Sequence, residues 1–246
     1  MIQNSDISIT IVFDNYPFKD GLKTLWGFSC YIEMPKRTVL FDTGSNGRVL
    51  LENMRKLGKD IKKVDTLFLS HHHWDHIGGL DSVIEMNPDI ETIAPSSLSK
   101  HLIKDLKTMV KSVRVIGKNS SAVYDDIYTT GVMGNETYEQ SLVIDTDKGL
   151  IVITGCAHGG IVEIAKKAQT MLDKKIALLI GGFHLMYKDE AGIKQAVDEL
   201  LAMDIDFVCP THCSGDMAID RFKHAFAKRF IAGGAGKTIQ STLEKA

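Results

Sequence analysis

The sequence predicts an α/β fold: a four-layer αββα sandwich of two mixed β-sheets with flanking helices. Three observations predict it. The chain has short apolar runs rich in β-branched residues, helical patterns that follow several of these runs, and the same strand–turn–helix order in both halves. At 246 residues the chain is long enough to bury its own core, and we expect one domain over residues 1–246.

The predicted strands are short apolar runs bounded by Gly, Asp, Ser or His, and the predicted helices carry apolar residues on one face. The strands lie at residues 7–13, 27–33, 38–41, 66–70, 113–116, 141–145, 150–154, 176–180 and 206–209, with a last short one at 237–240. The helices lie at residues 47–57, 161–172, 193–203 and 217–230, with a weaker pattern at 97–106.

The two halves of the chain share one local order of elements. The first half reads VLF, the turn DTG, a helix, and then the strand TLFLS, which ends in histidines. The second half reads LIVITG, the turn CAHGG, a helix, and then IALLIGGFH. If each half forms one sheet with its helices, we expect the polar groups at the carboxyl ends of the strands to converge along one edge.

Composition and charge narrow the functional classes. The net charge of −2 gives no general attraction to nucleic acid or to an anionic membrane, and the apolar runs are too short to span a bilayer. No basic segment precedes an apolar run near Met1, and the four cysteines form no CxxC pair. We therefore expect a cytoplasmic protein that binds a small-molecule substrate, and neither nucleic acid nor membrane; the oligomeric state stays open.

Histidines cluster directly after a predicted strand. In LFLSHHHWDHIGGL, the strand is followed by His71 and His73, whose imidazoles point to one side of an extended backbone, and then by Asp75 and His76. Solvation would explain one or two histidines in such a turn. Four histidines and one aspartate at the edge of the core would cost several kcal/mol without compensation, which favours metal binding.

Three further histidines follow other predicted strands: His158 in LIVITGCAHGG, His184 in IALLIGGFH and His212 in DFVCPTHCSG. Each of them alone is better explained as a hydrogen-bonded structural histidine. Their common position at strand ends favours a shared metal centre instead. Six or more candidate ligands imply two divalent ions. Imidazole suits Zn, Fe, Ni and Cu, so zinc is the default metal, with Mn or Fe as alternatives.

The segment HHHWDH resembles the His-x-His-x-Asp-His signature of the metallo-β-lactamase superfamily, and VLFDTG resembles the Asp-containing turn that precedes it. Between residues 10 and 216, the segments NYPF, WGFSCYIE, ITGCAHGGI, IGGFHL and PTHCSG are similar to one branch of metal-dependent hydrolases. That branch includes proteins like dihydropterin–ribofuranosyl-aminobenzene phosphate synthase. The signature is specific for the fold and the metal, and it leaves the substrate open.

The resemblance implies two metal sites. Its ligands are His71, His73 and His158 for the first ion, and Asp75, His76 and His212 for the second ion. His158 is a departure, because the superfamily takes its third histidine from a loop before the LIVITG-like strand. That loop reads GNETYEQS here and contains no histidine, so His158 is the expected replacement.

Three other positions have more than one interpretation. Cys156 stands where the superfamily has a bridging aspartate, and it is either a metal ligand or a half-buried thiol behind the site. Asp42 is expected to hydrogen-bond near His71 or His73, which is compatible with capping its own turn. His184 is expected beside the metals, as a proton donor or as a group that binds a substrate anion, although direct ligation stays open.

The chemistry that the resemblance implies is hydrolysis of an ester, an amide or a phosphoester. A hydroxide that bridges the two ions would attack, while one ion polarises the carbonyl or phosphoryl oxygen. Asp75 would orient the hydroxide and His184 would protonate the leaving group, so these two are the expected catalytic side chains. The alternative at the same site is a pterin-related synthase or transferase.

Three other classes compete with this interpretation. A diiron oxidoreductase of this fold has Glu in place of the second histidine of the motif and an appended flavin domain; this chain keeps His73, and we expect no flavin domain. A non-catalytic metal module would have a site closed by four ligands, and this chain has more candidates than that. A nuclease of this fold usually adds a large insertion or a basic surface, and neither is evident.

Overall fold

Two mixed β-sheets, each with helices packed against it, form the part of the chain that the computed structural model describes, residues 2–203 and 205–240. One compact unit consists of residues 5–117 and 234–240 and is named the first unit. The other consists of residues 2–4, 118–203 and 205–233 and is named the second unit. The predicted α/β class is therefore observed in each unit.

The described residues contain thirteen strands and seven α-helices. The strands are β1 (Ser8–Phe13), β2 (Ser29–Met34), β3 (Arg37–Phe41), β4 (Thr66–Phe68), β5 (Glu91–Pro95), β6 (Ser112–Ile116), β7 (Ser121–Tyr124), β8 (Ile127–Thr129), β9 (Leu142–Thr146), β10 (Gly149–Thr154), β11 (Ile176–Gly182), β12 (Phe207–Thr211) and β13 (Thr238–Gln240). The helices are α1 (Gly47–Lys56), α2 (Trp74–Ile77), α3 (Leu80–Met86), α4 (Lys100–Met109), α5 (Ile161–Leu172), α6 (Glu190–Ala202) and α7 (Asp216–Phe226).

The sheet of the first unit has seven strands in the order β13-β1-β2-β3-β4-β5-β6. Pairing is antiparallel from β13 to β3 and parallel from β3 to β6. Apolar residues of α1, α3 and α4 pack against apolar residues of the strands to form the core of this unit. Because β3 and β4 are adjacent and parallel, the segments that follow them leave the sheet at the same edge.

The sheet of the second unit has six strands in the order β12-β11-β10-β9-β8-β7. The strands β10, β11 and β12 are parallel, whereas pairing from β7 to β10 is antiparallel. Every residue of β10 and β11 is buried, which explains why both strands read as continuous apolar runs. The segments that follow these three parallel strands leave the sheet at one edge.

Helix capping fixes where several helices begin. Asn46 accepts a hydrogen bond from Val49 N at the start of α1, and Asp189 does the same from Gly192 N at the start of α6. The weak pattern predicted at 97–106 corresponds to α4, which begins after the N-cap Ser99. The helix predicted to reach residue 230 ends at Phe226, where a 3₁₀ turn at 227–229 follows.

The sequence patterns did not reveal five of the elements: β5, β7, β8, α2 and α3. In β5 the run ETIAP mixes Glu, Thr and Pro with only two aliphatic side chains, so its hydrophobic signal is weak. The helices α2 and α3 flank a Gly-Gly pair, and such a pair indicates a turn. No helix among the described residues is long and apolar enough to cross a membrane.

Candidate metal centre

The first unit gathers acidic and imidazole side chains where β3 and β4 end. Asp42 directly follows β3, and the histidine segment follows β4 after two residues. The helix α2 begins within this segment and carries Asp75 and His76 in its first turn. Hereafter the first cluster denotes Asp42, His71, His73, Asp75 and His76.

The rings of the first cluster lie close together. The ring centroid of His71 is 4.6 Å from that of His73 and 4.2 Å from that of His76. Oδ2 of Asp75 is 3.6 Å from Nε2 of His76. His71, His76 and Asp75 are buried and His73 is half-buried, whereas His72, which the sequence did not assign as a ligand, is exposed.

Asp42 connects the two turns of the first cluster. Its Oδ1 accepts a hydrogen bond from Ser70 N at 2.7 Å, and its Oδ2 accepts one from Ser70 Oγ at 2.6 Å. Oδ2 also lies 2.7 Å from Nδ1 of His76, and Ser70 Oγ lies 2.8 Å from Nδ1 of His71. Asp42 thus contacts the imidazole of His76 directly and reaches His71 through Ser70. Contacts through Nδ1 fix the two rings in the orientation in which Nε2 can serve as the metal ligand.

The second unit gathers thiols and imidazoles where its parallel strands end. The second cluster denotes Cys156, His158, His184, His212 and Cys213, which follow β10, β11 and β12. The ring centroids of His158 and His184 are 4.3 Å apart, and Sγ of Cys156 is 3.4 Å from Nε2 of His212. Cys156, His212 and Cys213 are buried, and the other two are half-buried.

Several non-glycine residues at the two clusters have positive φ angles, which such residues rarely adopt. The φ angle is 53° at Asp42, 58° at Ala157, and 51° at both His184 and His212. Such conformations cost free energy and persist only where the surroundings enforce them, and they concentrate at functional sites. Their position directly after strand ends turns the side chains sharply out of each sheet.

Glu139 is a functional candidate that the sequence did not reveal. Its side chain is buried, and Oε1 accepts hydrogen bonds from Gly155 N, Cys156 N and Ala157 N at 2.9, 2.9 and 3.1 Å. Oε2 accepts a fourth, from His158 N at 3.0 Å. In the sequence it is one of two acidic residues in the polar loop GNETYEQS, with nothing to distinguish it from Glu136, and its partners lie 16 to 19 residues later.

Hydrogen bonds among thiols and imidazoles shift two pKa values in the second cluster. Burial raises the pKa of the Cys213 thiol, but hydrogen bonds with Cys156 and His184 and the nearby His212 imidazole together hold that pKa well below its ordinary value. The hydrogen bond with Cys213 raises the pKa of His184, against the opposing effect of burial. Thiols with lowered pKa values are suited to metal ligation, because the thiolate is the binding form.

A polar cavity of about 360 Å³ adjoins the second cluster. Residues 134–137, His158, Gly159 and His184 line it. The loop that provides most of this wall is closed at its base by Met133 and Glu139, whose backbones exchange two hydrogen bonds of 2.7 and 2.8 Å. Two imidazoles therefore face a space of the size that a small polar molecule would occupy.

The donor atoms of each cluster fit a divalent metal ion. The candidate ligand atoms of Asp42, His71 and His76 lie within 4.8 Å of one another, and so do those of Cys156, His158 and His184. Imidazole, carboxylate and thiolate are the common ligands of zinc and of neighbouring transition metals. Nδ1 of His184 is buried and has no hydrogen-bond partner among the residues that the structure describes. A buried nitrogen without a hydrogen-bond partner in the protein is suited to bind a ligand or a substrate.

Comparisons with known proteins agree with these features. The family model of the metallo-β-lactamase superfamily matches residues 27–212. A relative from Methanocaldococcus jannaschii, 7,8-dihydropterin-6-methyl-4-(β-D-ribofuranosyl)-aminobenzene-5′-phosphate synthase, is 29% identical and the match covers 87% of this chain and 89% of the relative. A metal-dependent hydrolase of Bacillus pumilus is 30% identical, and the match covers 73% of this chain and 80% of the relative.

A solved structure of a metal-dependent hydrolase of the β-lactamase superfamily has a similar fold. Its TM-score is 0.80, at 25% sequence identity, and the match covers 95% of this chain and 98% of that chain. The similarity confirms the predicted fold class, two mixed β-sheets with flanking helices.

Proposed function

Because this chain belongs to the metallo-β-lactamase superfamily, we propose that it is a hydrolase that requires two divalent metal ions, with zinc as the expected metal. The proposed substrate is a small molecule with an ester, amide or phosphoester bond. One observation carries the proposal: each unit presents a set of buried and half-buried metal-ligand side chains at the carboxyl edge of its parallel strands. Enzymes with open sheets bind their ligands at this edge.

The proposed ligands are five residues that match the superfamily pattern, together with His158 and Cys156, which replace two of the superfamily's usual ligands. They are His71, His73 and His158 for one ion, and Asp75, His76, His212 and Cys156 for the other. Cys156 is included because its Sγ lies 3.4 Å from Nε2 of His212 and because thiolate is a common ligand of zinc. This assignment is supported by family membership and by the donor atoms of each cluster taken separately.

The residues of the chain have separate tasks in the proposed reaction. Bound divalent ions would supply Lewis acidity and would lower the pKa of water toward neutrality. The carboxylate of Asp75 accepts a hydrogen bond from the attacking water and orients it. Asp42 keeps the ring of His76 in place through Nδ1. His184 donates a proton from Nδ1 to the leaving group of a substrate that lies in the adjoining cavity.

A group-transfer reaction at the same site is the second candidate function. The observation that favours it is the relative from Methanocaldococcus jannaschii, which is a synthase and matches most of this chain. In a transfer reaction a second substrate takes the place of water as the nucleophile. The ratio of transfer product to hydrolysis product, measured with added alcohols or amines as acceptors, separates the two functions.

The proposed function is tested by metal analysis together with an activity screen. The purified protein is analysed for bound metal, loaded in turn with Zn²⁺, Mn²⁺ and Fe²⁺, and assayed on phosphodiesters, lactones and thioesters. We expect hydrolysis that a chelator abolishes and added metal restores. The variant His73→Ala should lose it, whereas His101→Ala, at an exposed position of α4, should keep it.

Three outcomes would contradict the proposed function. Hydrolysis that survives complete metal removal would exclude metal dependence. A protein that binds none of the three ions would exclude the metal centre itself. Iron bound in the isolated protein, with a visible spectrum that changes on reduction and with no hydrolysis, would favour the diiron oxidoreductase class instead.

A further inference from the structure

We propose that Glu139 is a positioning residue that holds the turn at residues 155–158 in the shape that metal binding by Cys156 and His158 requires. This inference rests on the proposed function, because it takes both side chains as metal ligands. It also gives the loop GNETYEQS a role. In the superfamily that loop contributes a histidine, whereas here it contributes the carboxylate that places His158.

The hydrogen bonds at this turn have an unusual arrangement. Four consecutive backbone N–H groups point at one carboxylate, three of them at Oε1 and the fourth, from His158, at Oε2. Consecutive N–H groups converge in this way only where the backbone curls, and the positive φ of 58° at Ala157 supplies the curl. A positive φ is unfavourable for alanine, because its Cβ atom clashes with the backbone in that region. The charge-assisted hydrogen bonds to Glu139 therefore stabilise a turn that would otherwise be unfavourable.

Glu139 is itself held firmly. Its backbone N–H and C=O both pair with Met133, at 2.8 and 2.7 Å. The loop also packs directly on the residue that follows the turn, because a Cβ atom on Gly159 would lie 3.1 Å from Cβ of Met133 and 3.3 Å from Gly134 N. The loop is thus packed against the turn as well as hydrogen-bonded to it, and the position of the carboxylate constrains the positions of both ligands.

A general structural role would have a different consequence. If Glu139 only satisfied buried amides, its loss would weaken the whole second unit evenly. A positioning role predicts a local effect at Cys156 and His158 and a loss of metal affinity that exceeds the loss of stability. The substitution Glu139→Gln separates the two, because glutamine has the same shape and retains one carbonyl oxygen. Its NH₂ group is placed against the N–H of His158, where two donors oppose each other.

The first measurement is amide hydrogen exchange of the metal-free full-length chain. In Glu139→Gln we expect the His158 amide to exchange at least about tenfold faster, while amides in β10 and α5 keep their protection. The matched control is Glu163→Gln, which removes an exposed carboxylate from α5 in the same unit. We expect this control to exchange like the unmodified protein throughout.

The second measurement is a titration with Co²⁺ alone, followed by absorption spectroscopy. We expect Glu139→Gln to bind Co²⁺ about 10- to 100-fold more weakly, as substitutions of groups that support metal ligands typically do. We also expect the near-ultraviolet thiolate-to-cobalt band from Cys156 to shift or weaken. The control Glu163→Gln should match the unmodified protein in affinity and spectrum.

The outcomes separate this inference from the proposed function. If the unmodified protein binds no metal, the proposed function fails, and unchanged exchange at residues 155–158 in Glu139→Gln would overturn the positioning role as well. Evenly faster exchange across the second unit would also overturn it. If Glu139→Gln does not fold, Glu139→Asp is measured instead, and failure of both to fold would assign Glu139 to general stabilisation. Local exchange with weakened Co²⁺ binding supports the inference, even if no hydrolysed substrate is found.

Discussion

Oδ2 of Asp42 lies 2.7 Å from Nδ1 of His76, and both side chains are fully buried. The same carboxylate accepts two hydrogen bonds from Ser70, which precedes the histidine segment. In the second unit, Glu139 has the corresponding relation to the turn at residues 155–158. Each cluster is thus built around one buried carboxylate. Substitutions of these carboxylates test how strongly the fold prepares the proposed metal sites before any ion binds.

Asp42→Asn should weaken metal binding without changing the backbone. Asparagine tolerates the positive φ of 53° at this position, but its NH₂ group must replace an acceptor that now serves Ser70 or His76. We expect the metal affinity to fall about 10- to 100-fold. The free energy of unfolding of the metal-free protein should fall by roughly 1–3 kcal/mol. Chelator competition and urea unfolding measure these two quantities.

The control for this prediction is Asp105→Asn, which changes an exposed carboxylate on α4 and should alter neither quantity. Asp42→Ala adds a second comparison, because alanine lacks both the acceptor and the tolerance of positive φ. It should therefore destabilise the protein more than asparagine does. Metal affinity that is equal in Asp42→Asn and the unmodified protein would contradict the supporting role of Asp42.

Cys156→Ser should show whether the thiol is a ligand or only a neighbour of the site. If Cys156 binds the metal, the thiolate-to-metal band of the Co²⁺-loaded protein should disappear in this variant, and the affinity should fall. Cys156→Asp is the matched variant, because the superfamily has aspartate at this place. It should bind Co²⁺ without the sulfur band. Persistence of that band in Cys156→Ser would assign it to another thiol and would make Cys156 a bystander.

The parts of the fold that were predictable from sequence are those with a strong local signal. The strands β10 and β11 are buried at every position, so they read as uninterrupted apolar runs. The missed strands β5, β7 and β8 have weaker signals, because they are short or contain Glu, Ser and Pro. Their place in the sheets depends on pairing with neighbours, which no local pattern encodes.

In the candidate site, too, only the residues with a local sequence signal were predictable. The histidines could be assigned because each follows an apolar strand, and a strand end is visible in the sequence. Asp42 was expected near His71 or His73, whereas its direct imidazole partner is His76, because the partner depends on how two turns meet. Glu139 had no signal beyond its acidic side chain in a polar loop. Its role arises from hydrogen bonds to backbone N–H groups, and these leave no trace in the identity of its partners.

Tyr31 should make the stability of the protein depend on pH above about 10. Burial, followed by the nearby charges of Glu33 and Asp60, raises the pKa of Tyr31 to about 12. The phenol of the unfolded chain ionises near pH 10, so the folded state holds this proton more tightly. This contribution to the free energy of unfolding is complete below about pH 10 and is lost as the pH rises toward 12.

Urea unfolding between about pH 8 and 11.5 measures this dependence. Tyr31→Phe should flatten it, whereas Tyr187→Phe, at a position that is 78% exposed, should leave it unchanged. Because lysines and thiols also titrate in this range, the comparison between variants is the decisive quantity. Equal slopes for Tyr31→Phe and the unmodified protein would show that Tyr31 ionises normally in the folded state.

Gly182→Ala should disturb the second cluster by steric overlap. A Cβ atom at this position would lie 2.4 Å from the carbonyl oxygen of Gly155, 2.7 Å from Sγ of Cys213 and 3.2 Å from Cδ2 of His212. Gly182 ends β11, so the strand cannot move away without breaking its pairing with the neighbouring strands. We expect a loss of roughly 1–3 kcal/mol in the free energy of unfolding.

Gly117→Ala is the control, because a Cβ atom there meets nothing within 4 Å. Metal binding should weaken in Gly182→Ala, since the added methyl group displaces His212 and Cys213 together. If Gly182→Ala has the same free energy of unfolding and the same Co²⁺ affinity as Gly117→Ala, the turns after β10 and β12 can shift freely. That result would contradict a preformed geometry of the second cluster.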